Sequence, residues 1–75
     1  MQPLTAAHLS PDQHARILAI TDPALARRLY DMGIALGCEL YLLHIAPFGD
    51  PLVFRTPACT IALRRKDCRH VLVCL

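Results

Sequence analysis

Apolar positions change their spacing along the chain, and each change marks an element. Residues 14–20 (HARILAI) are almost continuously apolar and predict a first strand, with the inward face left open by the pattern. From Pro23 the spacing lengthens. Leu25, Leu29 and Met32 recur at i, i+4 and i+7 while Arg27, Arg28 and Asp31 project elsewhere, which predicts an amphipathic helix of about ten residues. Asp22 offers an N-cap oxygen, and Pro23 suits the first helical position. Gly33 can end the helix in the left-handed conformation that glycine tolerates. Over residues 38–46 the period shortens to two: Leu40 and Leu42 share one face, Glu39, Tyr41, Leu43 and Ile45 the other. Pro47-Phe48-Gly49-Asp50-Pro51 reads as a turn, with Gly49 allowing its tightness and Asp50 expected to hydrogen-bond within it. Residues 52–56 then complete a hairpin. A second turn at 56–59, with Pro57 at its second position, leads to a strand with Ile61 and Leu63 inward and Arg64 outward. Residues 65–69 are polar and predict a single helical turn, before a last strand in which Val71 and Val73 alternate with Leu72 and Cys74. At the other end, residues 3–9 predict one helical turn and 10–13 a turn.

These elements specify a single, mainly β domain over residues 1–75. It is expected to be a small five-stranded barrel of the SH3-like kind, with one inserted α-helix and a short N-terminal helical turn. Closure of so short a sheet hides edges that would otherwise aggregate. The expected core is Leu40, Leu42, Leu52, Phe54, Ile61, Leu63, Val71 and Val73, with Leu29 and Met32 packed over one end.

Composition sharpens one point. Hydrophobic residues reach 55% and charged residues only 19%, yet a domain of this length buries only roughly 60% of the surface its unfolded chain exposes. Leu43, Ile45, Val53, Leu72 and Leu75 are therefore left over. Either the helix and the N-terminal turn cover them, or they form a hydrophobic groove between helix and barrel that receives a partner. The candidate partner surface is Arg28, Leu29, Met32, Leu43, Ile45, Val53 and Leu72, with Tyr30 beside Arg28 at its border. Self-association through the same surface is the variant of this reading that needs no second protein.

Charge adds less. The net charge of +2 is small, and its clearest cluster is Arg64, Arg65, Lys66 and Arg69. That group reads as a solvated turn, as a basic rim facing an acidic partner, or as a phosphate contact. Two Phe and two Tyr, not interleaved with the basic residues, give no platform for stacking bases, so nucleic acid is not expected.

Enzyme chemistry finds no purchase. There is no glycine-rich phosphate loop, and no spacing sets a Cys beside a His with an orienting Asp. Four Cys and four His raise the question of metal, but they are not grouped in the close pairs that zinc sites use. His70 and Cys74 on one strand face would stand about 13 Å apart by strand rise. No metal site and no cofactor are expected, beyond an adventitious divalent ion such as zinc. Residues 1–10 carry no Lys or Arg and no long apolar stretch, so no signal peptide is read there, and no apolar run approaches the ~20 residues of a membrane span. A cytoplasmic location and reduced thiols are expected.

Three segments occur together and in order: LARRLYDMGIALG at 25–37, APFGDPL at 46–52, and IALRR at 61–65 leading into Val71-Leu72-Val73. In this the chain resembles the ferrous iron transport protein A (FeoA) family over almost its whole length. It departs at Asp12, Leu36 and Cys68, where such proteins often carry Gly, Pro and Ala. The resemblance implies an SH3-like fold and a non-enzymatic role in bacterial ferrous-iron uptake. The implied partner is the cytosolic part of an FeoB-type membrane transporter, which would recruit the protein to the inner membrane. The rival reading is an SH3-like regulatory or nucleic-acid-binding module of transcriptional type.

Overall fold

The computed structural model describes residues 3–75 of the chain. A 3₁₀ turn (Ala6–His8) precedes strand β1 (His14–Ile20) and helix α1 (Pro23–Asp31). Strand β2 (Glu39–Ile45) is followed by a second 3₁₀ turn (Pro47–Gly49). Strands β3 (Leu52–Arg55) and β4 (Thr60–Leu63), the one-turn helix α2 (Arg65–Cys68) and β5 (Val71–Cys74) complete the chain. All five strands are antiparallel in one sheet, ordered β4-β3-β2-β1-β5. The expected mainly β domain with one principal helix is what forms.

Alternation decides the core. Ala15 and Ile17 of β1 point inward, as do Leu40 and Leu42 of β2, Leu52 and Phe54 of β3, Ile61 and Leu63 of β4, and Val71 and Val73 of β5. All eight strand positions named from the sequence are buried. The N-terminal segment adds Ala6 and Leu9. That segment also covers the β5 margin of the sheet: Val73 N–H donates to Leu4 C=O at 2.9 Å, and Thr5 bridges Leu72. One sheet edge is thus paired off, as edge strands require. β1 and β2 each carry a register shift, between Ile17 and Ala19 and between Leu42 and His44, that strict alternation did not foresee.

Helix α1 begins as expected. Asp22 accepts from Ala24 N–H at 3.1 Å, and Pro23 opens the first turn. Its end differs. Met32 is the C-cap and is 45% exposed, not packed on the barrel. Gly33, at φ +85°, reverses the chain, with Gly33 N–H on Tyr30 C=O and Ile34 N–H on Leu29 C=O, both at 2.9 Å. This doubly bonded glycine stop brings the residue after Gly33 back onto the helix. Ile34 therefore takes the buried place assigned to Met32, beside fully buried Leu29 and Leu25.

The β2–β3 turn also has a partner the sequence did not announce. Asp50 does not bond within its own turn; its Oδ1 accepts from Arg65 backbone N–H at 2.9 Å and so caps α2. Arg65 replies with its side chain, donating from Nε to Gly49 C=O at 2.9 Å and from Nη1 to Ala7 C=O at 3.1 Å. One guanidinium thus ties together the β2–β3 turn, α2 and the N-terminal turn. At the first turn, Asp12 adopts φ +71° and accepts from Tyr41 O–H at 2.8 Å, a bond that glycine could not make.

Candidate interaction surface

The glycine stop after α1 has a consequence for the surface. It lays Ile34 to Leu36 alongside β1, where Gly37 N–H donates to the mid-strand Ile17 C=O at 2.8 Å. Between helix, loop and strand lies an open apolar cleft of about 460 Å³, lined by Ala19, Ile20, Ala26, Tyr30, Ile34 and Leu36 among others. Tyr30 is 69% and Leu36 64% exposed, so two large apolar side chains flank the cleft with most of their surface in water. Leu18, next to Ala19 on the strand, is 55% exposed. A cluster of this kind on so small a domain is the usual mark of a contact site.

This is not the groove drawn from the sequence, which lay between helix and hairpin. Leu29 is 1% exposed and belongs to the core, so it has no surface to offer. Met32 is accessible but stands at the cap, outside the cleft lining. Leu43 is half-buried at the β2 bulge, and Val53 is half-buried opposite His44. Ile45 packs against the core from its edge. Leu72 is half-buried, paired with Ala19 and bridged by Thr5. Arg28 is exposed and reaches away to α2, where its Nη2 meets Asp67 Oδ2 at 3.4 Å. The seven residues do not converge. Tyr30, placed at the border from the sequence, is the one that flanks the observed cleft. Leu36 was legible only as part of the apolar run after Gly33, and its exposure depends on the helix stop that inverts Met32 and Ile34.

The basic group also divides. Arg64 and Lys66 are exposed, Arg65 is half-buried and tethered as described, and Arg69 is exposed beside Arg65 on a separate cleft. The thiols have different environments. Cys38 and Cys59 are half-buried and point at the helix-stop carbonyls, 3.9 Å from Gly33 O and 3.8 Å from Met32 O. Cys74 is exposed. Cys68 is fully buried, and desolvation pushes its thiol up to about 12, which keeps it protonated and unreactive. Among the described residues no three of His, Cys, Asp or Glu stand close enough to hold one ion. No helix among the described residues is long and apolar enough to cross a membrane.

Comparison with known proteins agrees with this architecture. The family model of the FeoA domain matches residues 4–74. An FeoA protein from Chlorobium tepidum, solved in solution, superposes with a TM-score of 0.90 at 27% identity, over 96% of this chain and 70% of that one. The FeoA of Stenotrophomonas maltophilia, described as an SH3 domain protein and crystallised with zinc, superposes at 0.79 with 28% identity, over 93% and 88% of the two chains. A manganese-dependent transcriptional repressor shares the fold at 0.81 but only 19% identity, and this chain spans 44% of it. That last likeness concerns the fold alone.

Proposed function

The chain belongs to the FeoA domain family, and on that premise we propose that it docks on the cytosolic part of an FeoB-type membrane transporter. Family membership supports an accessory role in ferrous-iron transport. The docking surface in this reading is the apolar cleft beside α1, and the protein works by binding, without catalysis. The observation that carries it is the exposure of Tyr30 and Leu36 at the rim of a cleft otherwise lined by Ala and Ile. Tyr30, an aromatic anchor set on a capped helix, has the character of an interface hot spot, and Leu36 on the glycine-stopped loop adds apolar contact area beside it. The surrounding alanines leave room for an inserted side chain.

The test is capture of the transporter's cytosolic portion by the immobilised protein and by a Tyr30→Glu/Leu36→Glu variant. Both side chains lie outside the core, so circular dichroism of the variant should match that of the parent. The proposal expects capture by the parent and its loss in the variant. Equal capture by both would remove the cleft from the interface. No capture by the parent would remove the partner.

A further inference from the structure

The second cleft, on the far side of α2, is of opposite character. It measures about 590 Å³ and is lined by Thr5, His8, Thr21, Arg65, Arg69 and Leu72, with Pro3 and Ala7. Two guanidinium groups border it and no acidic residue does. The nearest carboxylate on the same helical turn, Asp67, is engaged from outside by Arg28 at 3.4 Å. Neither Arg65 nor Arg69 forms an ion pair among the described residues.

Arg65 is the more telling of the two. Its side chain is half-buried and held by two backbone carbonyls, Gly49 O and Ala7 O, so its position is set before any ligand arrives. Carbonyl oxygens satisfy N–H groups but do not neutralise the charge. Asp50 accepts from the Arg65 backbone N–H at 2.9 Å but forms no ion pair with its guanidinium among the described residues, so this fixed, half-buried cation keeps charge for an anion to neutralise.

One neighbouring group is a donor as well. Thr5 backbone N–H donates to His8 Nδ1 at 2.9 Å, which makes that nitrogen the acceptor. The neutral imidazole then carries its proton on Nε2, free to donate at the cleft. Thr21, just after β1, also lines the cleft, with its hydroxyl already donated to His70 C=O at 3.3 Å and 3.0 Å from His70 Nδ1. The remaining guanidinium N–H groups of Arg65 and Arg69, flanked by an imidazole N–H, match the tetrahedral oxygens of a phosphate group better than they match a spherical halide.

The geometry points to this cleft as a binding site for a phosphate group, held by Arg65 and Arg69 with His8 Nε2–H as a third donor. The volume exceeds that of the bare anion and leaves room for whatever the phosphate is attached to. A soluble phosphate compound and the headgroup of an anionic lipid share this chemistry, and the experiment separates them. Isotope-labelled protein is titrated with inorganic phosphate at constant ionic strength, with chloride as the control anion, and amide shifts are followed by NMR. In parallel the protein is sedimented with phosphatidylglycerol vesicles and with neutral phosphatidylcholine vesicles. Each arm is run on the parent, on Arg69→Gln, and on Lys66→Gln, which removes one positive charge from the same turn outside the cleft.

The site is supported if inorganic phosphate saturates with shifts centred on residues 5–8, 65–69 and Thr21, and Arg69→Gln weakens it at least about tenfold while Lys66→Gln changes it less than about twofold. That result assigns a soluble ligand. If free phosphate does not saturate but phosphatidylglycerol vesicles retain the protein with the same dependence on Arg69 and not on Lys66, the ligand is a lipid headgroup. The inference is overturned if neither arm binds, if chloride does as well as phosphate, or if the two variants weaken binding equally.

Discussion

Replacing Arg65 with methionine isolates the tie that joins three separated parts of the chain. The substitution keeps an aliphatic stem of similar length and removes Nε and both terminal nitrogens. Two hydrogen bonds are lost, to Gly49 O at 2.9 Å and to Ala7 O at 3.1 Å. Bonds involving a charged group are worth about 1.5–3 kcal/mol each when buried. Arg65 is only half-buried, so water can re-solvate both carbonyls, and about 1 kcal/mol per bond is the better figure. A total of about 2 kcal/mol corresponds to a fall in Tm of roughly 8–16 °C for a domain of this size. Thermal unfolding followed by circular dichroism, in a buffer without phosphate, measures it. Arg64→Met is the control: its side chain is exposed and makes no hydrogen bond among the described residues, so it should stay within about 0.5 kcal/mol of the parent. If Arg65→Met melts together with the control, the guanidinium does not hold the turn, α2 and the N-terminal segment together. The claim that the phosphate cleft is preformed would go with it.

Other consequences are equally direct. Gly33→Ala places a Cβ 3.1 Å from Ala58 Cβ at φ +85°, and should cost about 1–2 kcal/mol in urea unfolding; a cost under about 0.5 kcal/mol would mean the loop absorbs the strain. Phe48 is fully exposed at φ +68°, so Phe48→Asn should stabilise the fold by roughly 0.5–1 kcal/mol, whereas an unchanged or lower midpoint would show that the ring makes a stabilising contact. Cys68 holds its proton in the native state up to about 12, above its ordinary value of 9.0, so between these pH values the unfolded chain binds fewer protons than the folded one. Its contribution to stability is thus complete below pH 9 and declines as pH rises toward 12; Cys68→Ala should flatten that decline, and an identical alkaline profile would contradict the assignment.

The fold was largely legible because alternation survives wherever one face is buried. Leu40, Leu42, Leu52, Phe54, Ile61, Leu63, Val71 and Val73 could be read as inward from period alone, and all are buried. The helix start was equally readable, since Asp22 and Pro23 act through local chemistry. What escaped was whatever depends on the chain doubling back. Met32 continues the helical stripe, but the stripe ends at Gly33, and the backbone bonds from Gly33 and Ile34 decide that Ile34 is the residue folded inward. The apolar cleft beside α1 went unread for the same reason: Leu36 and Ala19 come to line one cleft through the loop–strand bond from Gly37 N–H to Ile17 C=O, which no spacing rule encodes. Arg64, Arg65, Lys66 and Arg69 look alike in sequence. Only the arrival of Gly49, Asp50 and Ala7 from distant positions separates the tethered Arg65 from its solvated neighbours.

The most direct test of the central claim is ferrous-iron uptake in cells that contain the transporter but lack this protein, complemented either with the parent or with Tyr30→Glu/Leu36→Glu at matched abundance. The docking account predicts that the parent restores initial uptake and that the doubly charged variant leaves it at the level of the deletion. Full restoration by the variant would contradict it, and would mean that the apolar cleft beside α1 is not where this protein meets its transporter.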